Sequence, residues 1–106
     1  IAICDDCFDV DMNRVKQFCE ALIKEKINIT WDASVGARLH WDDKIMVLMK
    51  KSGCIALAIG AESGAPRGLN KVIHKPATIE SIIFMAKQCN QHEISLISSC
   101  MSGLPD

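Results

Sequence analysis

The chain has 106 residues, 49% of them hydrophobic, with 12 Lys and Arg against 13 Asp and Glu. That is enough for one small domain with a buried core. The near-neutral charge gives no reason to expect nucleic acid or an anionic membrane surface as a partner, and no apolar run approaches the ~20 residues of a membrane span.

In chain order, residues 1–4 form a short apolar run that predicts a strand, and 5–11 form an acidic loop. Val15, Phe18, Cys19, Leu22 and Ile23 recur at helical period between about 12 and 26, with Asp11 placed to cap the helix. Ile29, Trp31 and Val35 mark a second strand within 28–35. Asp42 and Asp43 open a second helix carrying Ile45, Leu48 and Met49; Lys50 and Lys51 suit its C-terminal dipole, and Gly53 stops it. An unbroken apolar run from Cys54 to Ile59 follows, closed by Gly60-Ala61-Glu62-Ser63-Gly64. Too short for a helix and without polar alternation, it reads as a strand buried on both faces in a parallel sheet. Pro66 starts a short helical turn through about Ile73. Thr78 caps a third helix with Ile79, Ile82, Ile83, Ala86 and Cys89 on one face, and residues 94–100 form the last strand. Strand and helix alternate, as in parallel α/β sheets.

In a parallel sheet all C-terminal strand ends lie on one side, and ligands bind there. Those ends supply Asp5 and Asp6, then Asp32, Ser34 and Arg38, then Glu62 and Ser63, then Ser98, Ser99 and Ser102. One rim thus gathers carboxylates, a guanidinium and hydroxyls. Arg38 and Glu62 either form an ion pair, structural or fork-shaped, or each hold part of a zwitterionic ligand.

The six cysteines suit free thiols in a reducing cytoplasm better than a disulfide framework, because three of them fall in or beside apolar stripes. Cys4-Asp5-Asp6-Cys7 has redox spacing, but the two carboxylates between the sulfurs disfavour thiolate. His40, His74 and His92 lack partners at zinc-ligand spacing and read as surface residues, so no metal ligand is assigned. No phosphate-binding glycine loop or nucleophile elbow occurs.

Several segments resemble, in order, those of radical S-adenosylmethionine (SAM) enzymes. They are Asp5-Asp6-Cys7-Phe8 with the following helix; Ile29-Thr30-Trp31 with Arg38; Leu48-Met49-Lys50-Lys51-Ser52-Gly53-Cys54 leading to Ile59-Gly60-Ala61-Glu62-Ser63-Gly64; and Lys75 with Gly103-Leu104-Pro105. The resemblance covers essentially the whole chain. It is nearest to the cobalamin-associated branch that includes the anaerobic Mg-protoporphyrin IX monomethyl ester cyclases. It implies an α/β fold, a fragment of a (β/α) barrel of the TIM type with about four parallel strands and three main helices. Residues 1–106 would then be a partial catalytic domain, without the cluster-binding strand before it and the part after it, and both ends read as cuts in a longer chain.

The resemblance further implies that the parent reductively cleaves SAM with a [4Fe-4S] cluster to drive radical chemistry, such as oxidative cyclisation of a Mg-porphyrin. Cobalamin, if used, would sit in a separate domain. By position, Arg38 and Glu62 would help hold the methionine portion of SAM, and Gly60 with the backbone near Ser99 would contact adenosine. Asp6 and Ser63 complete the cofactor-binding candidates. The Cys-x-x-x-Cys-x-x-Cys cluster motif does not occur in these 106 residues, so the fragment alone is expected to be inactive. Cys7, Asp9 and Pro76 stand where the family usually has Asn, Thr and Gly. Four strands cut from a barrel would leave two open edges and an uncovered inner face, which predicts packing on the remainder of the parent or self-association. Two other readings stay open: an ordinary barrel lyase or aldolase using Asp6, Glu62 or Lys75, and a non-catalytic ligand-binding module.

Overall fold

Each of the three α-helices among the described residues starts on a side chain that accepts from one or more of its first free N–H groups. The computed structural model describes residues 1–65 and 76–103. Within it, Asp11 accepts from the N–H groups of Asn13 (2.9 Å) and Arg14 (3.4 Å) at the start of helix α1, Met12–Lys24. Asp42 accepts from Ile45 N–H at the start of α2, Asp43–Ser52. Thr78 and Ser81 exchange bonds at the start of α3, Ile79–Gln91: Ser81 N–H donates to Thr78 Oγ1, and Thr78 N–H to Ser81 Oγ. Such caps are worth about 1 kcal/mol each.

The helices alternate with four strands: β1 (Ala2–Ile3), β2 (Trp31–Ser34), β3 (Cys54–Glu62) and β4 (Ser95–Cys100). All neighbours pair in parallel, in the order β1-β2-β3-β4. This is the alternating α/β arrangement that the periodicity predicts. The helical turn expected over 66–73 lies outside the described residues.

The helices pack on one face of the sheet. Val15, Cys19 and Leu22 of α1, Ile45, Met46 and Met49 of α2, and Met85 and Cys89 of α3 close over Trp31, Ala33, Leu57 and Ile59. Trp31 is fully buried, and its indole N–H donates to Ser52 Oγ at 3.2 Å, so the ring brings no unpaired donor into the core. Phe8 and Phe18 meet it edge-on, with ring centroids 5.7 and 5.3 Å away. The Phe8 contact holds a 3-10 turn, Phe8–Val10, against the sheet.

β3 departs from the two-faced burial expected of it. Leu57, Ile59 and Ala61 are buried, while Ala56, Ala58, Gly60 and Glu62 are only half-buried. The opposite face of the sheet is open. Paired residues share a face, so it carries Asp32 with Ala56, Ser34 with Ala58 and Ile97, and Gly60 with Ser99. An all-apolar run therefore did not require two covers: Ile55 is 47% exposed, and the half-buried positions between 56 and 60 are alanine and glycine, small enough to be half-shielded by neighbouring strands. Among the described residues no helix is long and apolar enough to cross a membrane.

Candidate functional site

At the C-terminal end of the sheet β3 breaks its regular pairing. Gly60 pairs with Ser99 and Glu62 with Cys100, so Ala61 is an extra residue, a β-bulge. Glu62 then takes φ 61°, the left-handed region that a side chain normally avoids. Its carbonyl accepts from Met101 N–H at 2.7 Å, which ties the strained residue to the end of β4. Bulges and strained residues cluster at functional sites because they re-aim side chains.

The wall opposite is built by two loops. Arg14 Nη2 donates to Asp5 Oδ2 (2.9 Å) and to the Phe8 carbonyl (3.1 Å), folding the acidic loop after β1 back on α1. The loop after β2 is pinned at Gly36: its N–H donates to Asp9 Oδ1 (2.9 Å), and its carbonyl accepts from Trp41 Nε1 (2.9 Å). Between these walls lies a concavity of about 390 Å³, lined among others by Asp6, Ser34, Arg38, Gly60, Glu62 and Ser99. Five of the six site candidates therefore line one hollow. The sixth, Ser63, is not on its wall: its Oγ accepts from Ala65 N–H at 3.1 Å in the turn beyond.

The group that organises this rim is Asp9, which is 1% exposed. Besides Gly36 N–H, its Oδ1 accepts from the Cys7 thiol at 2.9 Å. Its Oδ2 stands 3.1 Å from His40 Nε2 and 3.9 Å from Arg38 Nη1. The His40 approach lacks hydrogen-bond alignment, and neither Oδ2 nor Nε2 completes a bond. Burial holds the His40 imidazole below its ordinary pKa although Asp9 pulls the other way. Burial, with the bond donated to Asp9, pushes the Cys7 thiol up. Cys7 is thus a poor thiolate, which argues against redox work by the Cys4–Cys7 pair. Arg38, an exposed cation on the wall of the hollow, has Asp9 as its ion-pair partner; among the described residues the expected fork to Glu62 is not formed.

An uncharacterised methyltransferase of Pyrococcus horikoshii is 29% identical over 107 residues, covering 100% of this chain and 23% of that protein. The anaerobic magnesium-protoporphyrin IX monomethyl ester cyclase of Rubrivivax gelatinosus is 32% identical over 65 residues, 60% of this chain and 12% of that one. The chain thus spans less than a quarter of the curated relatives it matches. No family model matches it. In fold it is similar to TsrM of Kitasatospora setae, a radical SAM methyltransferase solved with cobalamin and a [4Fe-4S] cluster bound. The TM-score is 0.82 over 98% of this chain and 22% of that one, at 14% identity. A second TsrM structure, with tryptophan substrate and a SAM analogue, superposes equally well, with a TM-score of 0.82. The resemblance to a segment of cobalamin-associated radical SAM proteins holds.

Within this segment, sequence reasoning placed the hollow's lining but not Asp9 as its organiser. Asp9 was one acid among several in a loop; the only signal was its position between the apolar Phe8 and Val10. Two histidines read as surface residues are packed instead. His40 faces Asp9, and His92 Nε2 meets Asp43 Oδ1 at 2.9 Å with its ring 12% exposed. His74 and Lys75 lie outside the described residues. The cysteines are free: Cys19, Cys54 and Cys89 are buried, and Cys4 and Cys100 are exposed.

Proposed function

We propose that this chain forms part of the SAM-binding wall of a radical SAM enzyme. Arg38 and Glu62 hold the amino-acid end of SAM, Gly60 and the backbone at Ser99 receive the adenosine, and Asp6 closes the acidic side. The observation that carries the reading is the convergence of these residues, from three strand ends and the acidic loop, on one hollow at the C-terminal end of a parallel sheet. A half-exposed guanidinium can take a carboxylate, and a carboxylate side chain an ammonium. Gly60 contributes no side chain of its own to the strand where a flat base would lie. The names of the relatives support SAM chemistry of this branch, with methyl transfer and porphyrin ring closure as its two outcomes.

In that family an iron–sulfur cluster supplies the electron that splits SAM, and its assembly needs three cysteine thiolates. The described residues do not fit it: no three His, Cys, Asp or Glu side chains converge as ligands, and the Cys7 thiol is engaged by Asp9. Cluster and cobalamin would be held by other parts of the parent. The chain alone, reconstituted with iron and sulfide, should release no 5′-deoxyadenosine. Six free thiols support a reducing, cytoplasmic setting. The outer edges of β1 and β4, with Ile97 58% exposed on the open face, support packing on the remainder of the parent or, in the isolated chain, on a second copy. Light scattering should then show association at high concentration; a clean monomer contradicts it.

Calorimetric titration of the chain with SAM tests the site. Saturable binding, weakened by Arg38→Ala, is the expected result. Absence of binding, or binding indifferent to Arg38, overturns it.

A further inference from the structure

We infer that Asp9 is a positioning residue for ligand recognition, acting through Arg38; the inference rests on the SAM-site reading above. Three observations converge on one buried carboxylate. Asp9 Oδ1 accepts from the Gly36 N–H and Trp41 Nε1 donates to the Gly36 carbonyl, so the residue two before Arg38 is held on both sides. Asp9 Oδ2 completes no hydrogen bond and faces the guanidinium at 3.9 Å. Gly36 supplies the seat: a Cβ there would meet Arg38 Nε at 2.9 Å and Cζ at 3.3 Å. The guanidinium therefore lies over a bare backbone position with one nitrogen turned to Asp9, and among the described residues its remaining donors meet no other acceptor and are placed for a carboxylate.

This tether reduces the freedom that a half-exposed arginine would otherwise lose on binding. Freezing one such side chain typically changes affinity about two- to tenfold. Asp9 itself is not on the wall of the hollow and touches no ligand. Its effect should be confined to the part of the ligand that Arg38 reads.

The test compares two probes on the full chain: SAM, which carries the amino-acid end, and 5′-methylthioadenosine, which lacks it. Asp9→Asn keeps an acceptor for Gly36 N–H and removes the charge. It should weaken SAM binding about two- to tenfold and leave methylthioadenosine within about twofold. Gly36→Ala, which unseats the guanidinium, should act the same way. Equal loss of both probes, as a merely structural role would give, or no loss of either, overturns the inference. A second measurement needs neither probe nor a folded Asp9 variant. In the wild-type chain the Arg38 Nε–H, assigned by its loss in Arg38→Lys, should give an ordered, slowly exchanging NMR signal. A freely rotating guanidinium refutes the tether. If SAM fails to bind the wild type while this signal is ordered, the ligand reading fails and the tether stands.

Discussion

Replacing Gly53 by alanine should destabilise the whole sheet. Gly53 ends α2 at φ 107°, ψ 13°, with its N–H returned to the helix carbonyls, and its own carbonyl accepts the Trp31 N–H at 2.9 Å where β2 begins. A Cβ at this position would collide with the Ile29 carbonyl oxygen. Two costs add. Left-handed backbone costs a non-glycine residue about 1–2 kcal/mol, and forcing an atom into occupied space costs about 1–3 kcal/mol. The lower entropy of unfolded alanine returns about 0.4–1 kcal/mol. The net loss of about 1–5 kcal/mol is a large share of the 5–15 kcal/mol that holds a typical domain together. With a urea slope of about 1–3 kcal/mol per molar, the midpoint should fall by at least about 0.3 M, and by about 1.5 M at mid-range values. Gly64→Ala is the control: nothing lies within 4 Å of a Cβ there, and its midpoint should hardly move. An unchanged or raised midpoint for Gly53→Ala would refute the argument that this glycine sets the register of β3 against β2.

Three further outcomes follow from the site and the core. Arg38→Ala should weaken SAM binding by about 5- to 30-fold, the worth of one charge-assisted carboxylate contact at a half-exposed position, while calorimetry with methylthioadenosine changes little. Acid should destabilise the fold in two steps. His40, faced by Asp9, Arg38 and Asp42, has a folded pKa below its ordinary 6.5, so the unfolded chain binds the extra proton. That stability is full above about pH 6.5 and is lost as pH falls through the folded value; His40→Gln should flatten this step in urea midpoints taken between pH 7.5 and 5. Asp43, held below its ordinary 3.8 by hydrogen bonds from His92 and Gln88, contributes stability above that value which is lost in stronger acid. Finally, burial pushes Cys54 up to about 12 and Cys89 up to about 11. Alkylation at pH 8 followed by mass spectrometry should therefore find Cys4 and Cys100 modified in the native chain. Cys54 and Cys89 should react only after unfolding, and native modification of Cys54 would contradict the packing described.

The alternation of strand and helix was legible because each element carries its own local signal: Asp11, Asp42 and Thr78 at helix starts, Gly53 at a stop, apolar stripes at helical period between. The rim was legible for a topological reason, since parallel strands bring Asp6, Arg38, Glu62 and Ser99 to one side whatever their separation in sequence. Three features were not legible. The sequence reading ended β3 at Ile59, whereas the bulge at Ala61 carries the pairing on to Glu62; a bulge depends on the partner strand. Two-faced burial of β3 was inferred from the lack of polar residues, but small outward side chains have the same apolar signature in a half-open sheet. The burial of Asp9 is created by contacts with Gly36, Arg38 and His40 about 30 residues away, which no local pattern encodes.

The central claim is that one hollow at the C-terminal strand ends receives SAM. Chemical-shift mapping of the isotope-labelled chain during SAM titration tests it most directly. The account predicts saturable shifts at Gly36, Arg38, Gly60, Glu62 and Ser99, with the N-terminal strand ends and the outer faces of α1 and α3 unchanged. Shifts confined to those outer faces, or none at millimolar SAM, would contradict it.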